Sequence, residues 1–436
     1  WTHPGWENTN WGHSTSPDMV HWTEQTYAFR PYGGDITDRH PSMAVRECFS
    51  GSGNIDLYNT AGWQKGKEKT MVVVFTDTGC GESIAYSSDR GRTWTYDKKN
   101  PIIRHGGRDP KLVWYEPGKH WVIAVFDGED RGGKKPGEEN GGIAFFTSTD
   151  LHQWSFASKL YGFYECPELF ELPLEGKQGT KRWVLFGADG RYFTGSFDGK
   201  RFTPDHKEKK ALLHGSVYAG QCFSKPPDGR VVYIGWATFA TKPGTSYNQH
   251  FTLPLHFTLH EEKASDGSII HRIHINPVEE LDKLHAKKLF NISGETITAD
   301  NPKLTVDPQG DLLDITFTIR PVGNPETFKF QFGPDEFEYN FRDTRLRNHS
   351  AEPGRNHDIL CPLQEGKLSM RILVDRPMYE SFVNGGQFYL LTPRKMEERG
   401  KALTNMAFSF TGKEPADGIV IEKFQTHQMK SIWTKE

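Results

Sequence analysis

The chain of 436 residues sets 53 Lys and Arg against 56 Asp and Glu, a formal net charge of -3, so it lacks the polycationic surface that grips a nucleic-acid backbone. Its length suffices for two domains, each with its own core. No apolar run approaches a membrane span, the strongest being pieces such as MVVVF at 71–75.

The five cysteines, Cys48, Cys80, Cys166, Cys222 and Cys361, show no C-x-x-C spacing. A structural zinc site is therefore not expected, and at least one thiol stays unpaired within the chain. The 18 histidines are dispersed, and HGG at 105–107 has no companion ligands at a convincing spacing. No metal and no cofactor are expected. The 12 Trp, 15 Tyr and 29 Phe supply flat apolar faces that suit sugar rings and build β cores equally well.

Along the chain, one short pattern recurs: STSPDMVHW at 14–22, SSDRGRTW at 87–94, STDLHQW at 148–154 and SFDGKRF at 196–202. Each places a Ser shortly before an Asp and an aromatic four or five residues after it. The Asp carboxylate accepts backbone N–H bonds in such a turn, while the ring packs back between sheets. The Asp positions, 18, 89, 150 and 198, are spaced widely enough for one four-stranded blade per repeat, which predicts a β-propeller. Strand signals fill the intervals. TMVVVFTD then ESIAYSSD, KLVWYEPGKHWVIAVF turned at Pro117 and Gly118, PELFELP with KRWVLFGADG, and VYAGQCFS with RVVYIGWATF all read as antiparallel pairs.

INPVEELDKLHAKKL at 275–289 reads as a short helix. Beyond it, segments such as LLDITFTI, KFQFG, SMRILVD, QFYLLTP, MAFSF and GIVIEKF alternate as strands without another copy of the turn, which predicts a β-sandwich. The expected domains are 1–292 and 293–436.

Two carboxylates stand in distinctive surroundings. GGRDPKLVW at 106–114 sets Asp109 beside Arg108 and before Pro110. The Arg and local amides are expected to keep it ionised, suited to holding hydroxyls or stabilising positive charge. GFYECPELF at 162–170 sets Glu165 among Phe163, Tyr164, Cys166 and Pro167, the desolvated surroundings of a general acid.

The segments NWGHSTSPDMVHW at 10–22, ECFSGSGNID at 47–56, GRDPK at 107–111, YECPELF at 164–170, VYAGQCF at 217–223 and LVDRPMYESFVNGG at 373–386 resemble glycoside hydrolase family 32 in family order. The resemblance implies an all-β fold, a five-bladed propeller followed by a sandwich. It implies a retaining β-fructosidase acting on fructan or sucrose, with a fructosyltransferase or a non-catalytic fructan-binding protein as alternatives. Glu165 resembles the acid/base residue, and Asp109 the carboxylate that stabilises the oxocarbenium-like state. Asn10, Trp11, Phe49, Ser50 and Arg108 fall in segments that line the fructose subsite.

Two departures from the family pattern stand out. The family nucleophile belongs to an Asn-Asp-Pro-Asn-Gly segment ahead of Trp-Gly-His, so it would lie upstream of Trp1 and the sequence is expected to be part of a longer chain. Ser216 stands where many members carry an acidic residue. The expected location is secreted, periplasmic or cell-surface, with no nucleic-acid partner and no membrane-spanning segment; the sequence does not specify an oligomeric state.

Overall fold

In the computed structural model the described residues are 10–28, 47–134, 139–224, 226–263 and 267–433. They form an all-β molecule. Among them no helix is long and apolar enough to cross a membrane. The chain divides into two compact units, residues 1–211, 218–235 and 256–272 in one and residues 212–217, 236–255 and 273–436 in the other.

Five antiparallel sheets follow in chain order and are the blades of a five-bladed propeller. The first shows Ser14–Thr15 against Thr23–Glu24. The second runs Cys48–Asp56, Thr70–Asp77, Gly81–Ser87, Thr95–Tyr96, and the third Arg108–Tyr115, His120–Asp127, Gly142–Ser148, Ser155–Tyr161. The fourth runs Glu168–Pro173, Lys181–Phe186, Arg191–Phe197, Phe202–Pro204. The fifth runs Val217–Cys222, Val231–Ala237, Leu255–Lys263, Ile269–Pro277.

The strand HWVIAVFD shows why the central strands are apolar at both parities. Trp121, Ile123 and Val125 join one core cluster with Val72, Val74 and Ile84 of the second blade. Val122, Ala124 and Phe126 point the other way, into a cluster with Leu169, Leu185 and Phe193 of the fourth. Successive side chains leave a strand on opposite faces, so a sheet covered on both sides needs an unbroken apolar run. Each such fully buried aliphatic or Phe side chain contributes about 1.5–3 kcal/mol.

The recurring turn closes the last hairpin of each of the first four blades. Asp150 Oδ1 accepts from the amides of His152 and Gln153, both at 2.9 Å, and from Ser148 Oγ at 3.0 Å. Asp18 accepts from Val20 and His21, Asp89 from Thr93, and Asp198 from Lys200 and Arg201. The residue after each Asp is left-handed: Met19 (φ 61°), Arg90 (φ 63°), Leu151 (φ 64°) and Gly199 (φ 89°).

The second unit contains a β-sandwich. An eight-stranded sheet is built around Leu313–Val322 and the final strand Gly418–Met429, and a six-stranded sheet around Thr327–Phe332 and Met406–Thr411. They share one core in which Leu313, Ile315, Phe317 and Ile319 alternate inward toward Phe328, Phe330 and Phe408. The helix expected at 275–289 is only a six-residue 3-10 turn, Glu279–Leu284, which buries Leu281 and Leu284. The residues after it form the strand His285–Ile292, paired with the final strand. This segment, placed at the end of the first domain by the sequence, thus builds a sandwich sheet. All five cysteines are buried and none is in a disulfide.

Candidate active site

The site residues come from the first strands of neighbouring blades and the residues just ahead of them, and in the second and third blades the ladder is broken at the entry. In the second blade the register skips between Cys48 and Gly51, which puts Phe49 and Ser50 in a bulge. In the third it skips between Arg108, which pairs with Phe126, and Lys111, so Asp109 and Pro110 are released from regular pairing. Asp109 takes φ +68°, Cys166 φ +47° and Ala219 φ +47°, left-handed non-glycine residues at equivalent entries of the third, fourth and fifth blades. Such conformations are costly and persist where surrounding bonds enforce them. Gly107 fits the same approach, because a Cβ there would lie 1.8 Å from Phe126 O.

Arg108 ties the two nominated carboxylates together. Its Nε and Nη2 donate to Glu165 Oε2 at 2.8 and 2.6 Å. Its Nε also stands 3.7 Å from Asp109 Oδ2. The guanidinium lies 5.3 Å from the ring centres of both Phe126 and Tyr164, and Nη2 donates to Tyr164 OH at 2.8 Å. The other Glu165 oxygen accepts from Tyr218 OH at 2.8 Å. Burial and the Glu165 contact push that phenol up, so it stays a donor.

Asp109 is 4% exposed, and its Oδ2 accepts from Cys166 N at 3.2 Å and Cys166 Sγ at 3.4 Å. The expectation that Arg108 and local amides keep it ionised needs correction. Burial raises its carboxyl to about 6 against the pull of Cys166 and Arg108. It is therefore mostly charged only above that pH.

Trp11 and Phe49 meet through a bond from Trp11 Nε1 to Phe49 O at 2.9 Å. Ser50 and Asn10 are exposed. The strand carrying Phe49 and Ser50 is fixed to the one carrying Asp109 by Ser52, whose Oγ donates to Pro110 O at 2.9 Å and accepts from Leu112 N at 2.7 Å. Gln221 Nε2 of the fifth blade donates to Gly51 O at 2.6 Å. Two strand residues past Asp109, the buried Lys111 ammonium pairs with Glu168 of the fourth blade at 2.6 Å and donates to Cys222 O of the fifth at 2.8 Å.

Sequence reasoning nominated neither Tyr164, Tyr218, Lys111 nor Glu168 individually. All four lie within the quoted segments YECPELF, VYAGQCF and GRDPK, but nothing local shows which side chains meet. Two ligand-like clusters occur among the described residues, both in the second unit, and each already holds a protein cation. Arg371 Nη2 lies 2.5 Å from Asp282 and 2.7 Å from Asp314 in the cluster with His285. Lys329 lies 2.8 Å from Glu336 and 3.1 Å from Glu338 in the cluster with His349.

The levanase of Bacillus subtilis is 31% identical over 98% of this chain and 65% of its own length. The extracellular exo-inulinase of Aspergillus niger is 33% identical over 46% of this chain and 42% of its own. The chain thus spans less than two thirds of these relatives. Among solved structures, the β-fructofuranosidase of Schwanniomyces occidentalis matches with TM-score 0.82 at 22% identity, covering 98% of this chain and 90% of that one. The exo-inulinase of Aspergillus awamori matches with TM-score 0.80 at 21% identity, covering 99% and 92%. These structures share the fold. The sequence profile described as the glycosyl hydrolases family 32 N-terminal domain matches residues 2–270, and the chain belongs to that family.

Proposed function

We propose that this protein is a retaining glycoside hydrolase that cleaves β-fructofuranosyl linkages in fructans or sucrose through a fructosyl-enzyme intermediate. The observation that carries the reading is the joining of Asp109, in the bulged entry of the third blade, to Glu165, just ahead of the fourth, through Arg108. Glu165, gripped on one oxygen by Arg108 and on the other by Tyr218, is the acid/base group: it protonates the leaving oxygen and later deprotonates the attacking water. Asp109 in its charged form holds fructosyl hydroxyls and stabilises the positive charge that develops on the ring. Asn10, Trp11, Phe49, Ser50 and Arg108 line the fructose subsite. The retaining mechanism also requires a second carboxylate that attacks the anomeric carbon, which in the family belongs to the Asn-Asp-Pro-Asn-Gly segment. We propose further that the protein acts outside the cytoplasm, as its Aspergillus niger relative, an extracellular exo-inulinase, does.

Fructose release from sucrose, inulin and levan tests the reading. Glu165→Gln is expected to lower kcat by about a thousandfold on a natural substrate, because the leaving alkoxide then departs without its proton. Saturable sugar binding without fructose release by the parent protein would make it a fructan-binding protein. Products longer than the substrate would make it a fructosyltransferase.

A further inference from the structure

Arg108 is flanked by two backbone amides that the strand ladder does not use. Gly107 N donates to His105 Nδ1 at 3.1 Å, and Asp109 N donates to Thr76 Oγ1 at 2.8 Å. Both acceptors lead to one carboxylate. Thr76 Oγ1 donates to Glu82 at 3.1 Å (Oε2) and 3.4 Å (Oε1), and His105 Nε2 stands 2.8 Å from Glu82 Oε1. The His105 and Glu82 side chains are fully buried and Thr76 is 3% exposed.

The direction of each bond follows from the chemistry of the groups. A threonine hydroxyl has one proton, so while it accepts from the Asp109 amide that proton turns to Glu82. An imidazole whose Nδ1 accepts from Gly107 carries its hydrogen on Nε2 and donates it to Glu82. Two amides, one hydroxyl and one ring thus drain onto a single carboxylate. The residues they hold are the one before Arg108 and the left-handed one after it.

We propose that Glu82, through Thr76 and His105, is a positioning residue for Arg108 and Asp109, setting where the guanidinium and the Asp109 carboxylate stand when a fructosyl unit is bound. The inference rests on the reading of Arg108, Asp109 and Glu165 as the active set. Burying these polar groups costs folding energy unless each bond is made, so the network is rigid when complete. A displacement of an ångström at the sugar is enough to cost a large factor in affinity and rate.

Thr76→Val keeps the shape of the side chain and removes the hydroxyl, whereas Thr76→Ser keeps the hydroxyl. Calorimetric affinity for 1-kestose needs no turnover and is read first, followed by kcat and KM for fructose release. Thr76→Val is expected to weaken binding about tenfold and to lower kcat by about a hundredfold where turnover is present. Thr76→Ser should stay within about threefold of the parent. A Thr76→Val protein that binds and turns over like the parent overturns the inference, as does a Thr76→Ser protein that falls equally far. If Thr76→Val does not fold, Glu82→Gln takes its place, with severalfold weaker binding expected and parental binding overturning the proposal. A parent that neither binds nor cleaves the trisaccharide removes the functional reading itself, and this inference with it.

Discussion

Asp109 concentrates several costs in one residue: a left-handed backbone at φ +68°, burial to 4% exposure, and a carboxyl raised to about 6. Its ordinary value is 3.8, so the folded state holds the proton more tightly than the unfolded one. The resulting destabilisation is absent below about pH 4, grows between pH 4 and 6, and is complete above 6, where it amounts to about 3 kcal/mol. Asp109→Asn removes the charge and keeps a residue type at ease in the left-handed region. It is expected to raise the thermal midpoint at pH 7 and to change it little at pH 4, while lowering fructosyl affinity at pH 7. Equal shifts at both pH values would show that the buried charge is not the cause. The same residue shows what a sequence conveys at this scale. The R-D-P and Y-E-C strings nominate Asp109 and Glu165, but the bond between Arg108 and Glu165 spans 57 positions and the one from Tyr218 spans 53. Such contacts are made by blade-to-blade packing, which no local pattern encodes.

The recurring turn was legible because its bonds are local. Ser148, Asp150 and the amides of Leu151, His152 and Gln153 lie within six residues, so residue type and spacing determine the hydrogen bonds. Asp150→Ala is expected to cost about 1–2 kcal/mol in urea unfolding, since two amides and a hydroxyl lose their acceptor. Asp150→Asn, which keeps one amide oxygen, should cost less. Asp150 is held below its ordinary range: burial works against this, and the amides of Gln153 and His152 outweigh it. Its contribution is therefore present above about pH 4 and fades as the solution becomes more acid, so the gap between wild type and Asp150→Asn should close there. The segment at 275–289 was misread for the opposite reason. Val278, Leu281 and Leu284 fall at helical spacing, but only one tight turn forms, and HAKKLFNI extends as a strand beside Gly418–Met429 despite its exposed lysines. Pairing with a long partner strand overrode the local preference.

At the scale of the molecule, the propeller and the sandwich were both foreseeable from the interval between turns and from the change in texture after the 3-10 segment. The polar pins between blades were not. Lys111 and Glu168 read as ordinary charged residues in GRDPK and YECPELF, yet they meet at 2.6 Å with almost no exposure, one from each of two adjacent blades. Burial pushes the Glu168 carboxyl up and Lys111 pulls it back. Lys111→Met, which strands that carboxylate, is expected to destabilise the first unit by about 3–5 kcal/mol, and Lys111→Met with Glu168→Leu to recover most of the loss. Urea titrations of the two single variants and the double variant give the coupling directly, and additive losses would mean the pair is not coupled. The five buried thiols, none in a disulfide, offer a way to follow such changes in place. Cys48, Cys80, Cys166 and Cys222 belong to the first unit and Cys361 to the second, and none is exposed. A membrane-impermeant alkylating reagent reacts with each one only while its surroundings are open, so mass-resolved labelling rates become five clocks embedded at fixed positions. Cys166, bonded to Asp109, would time the opening of the site itself, and Cys361 the opening of the sandwich.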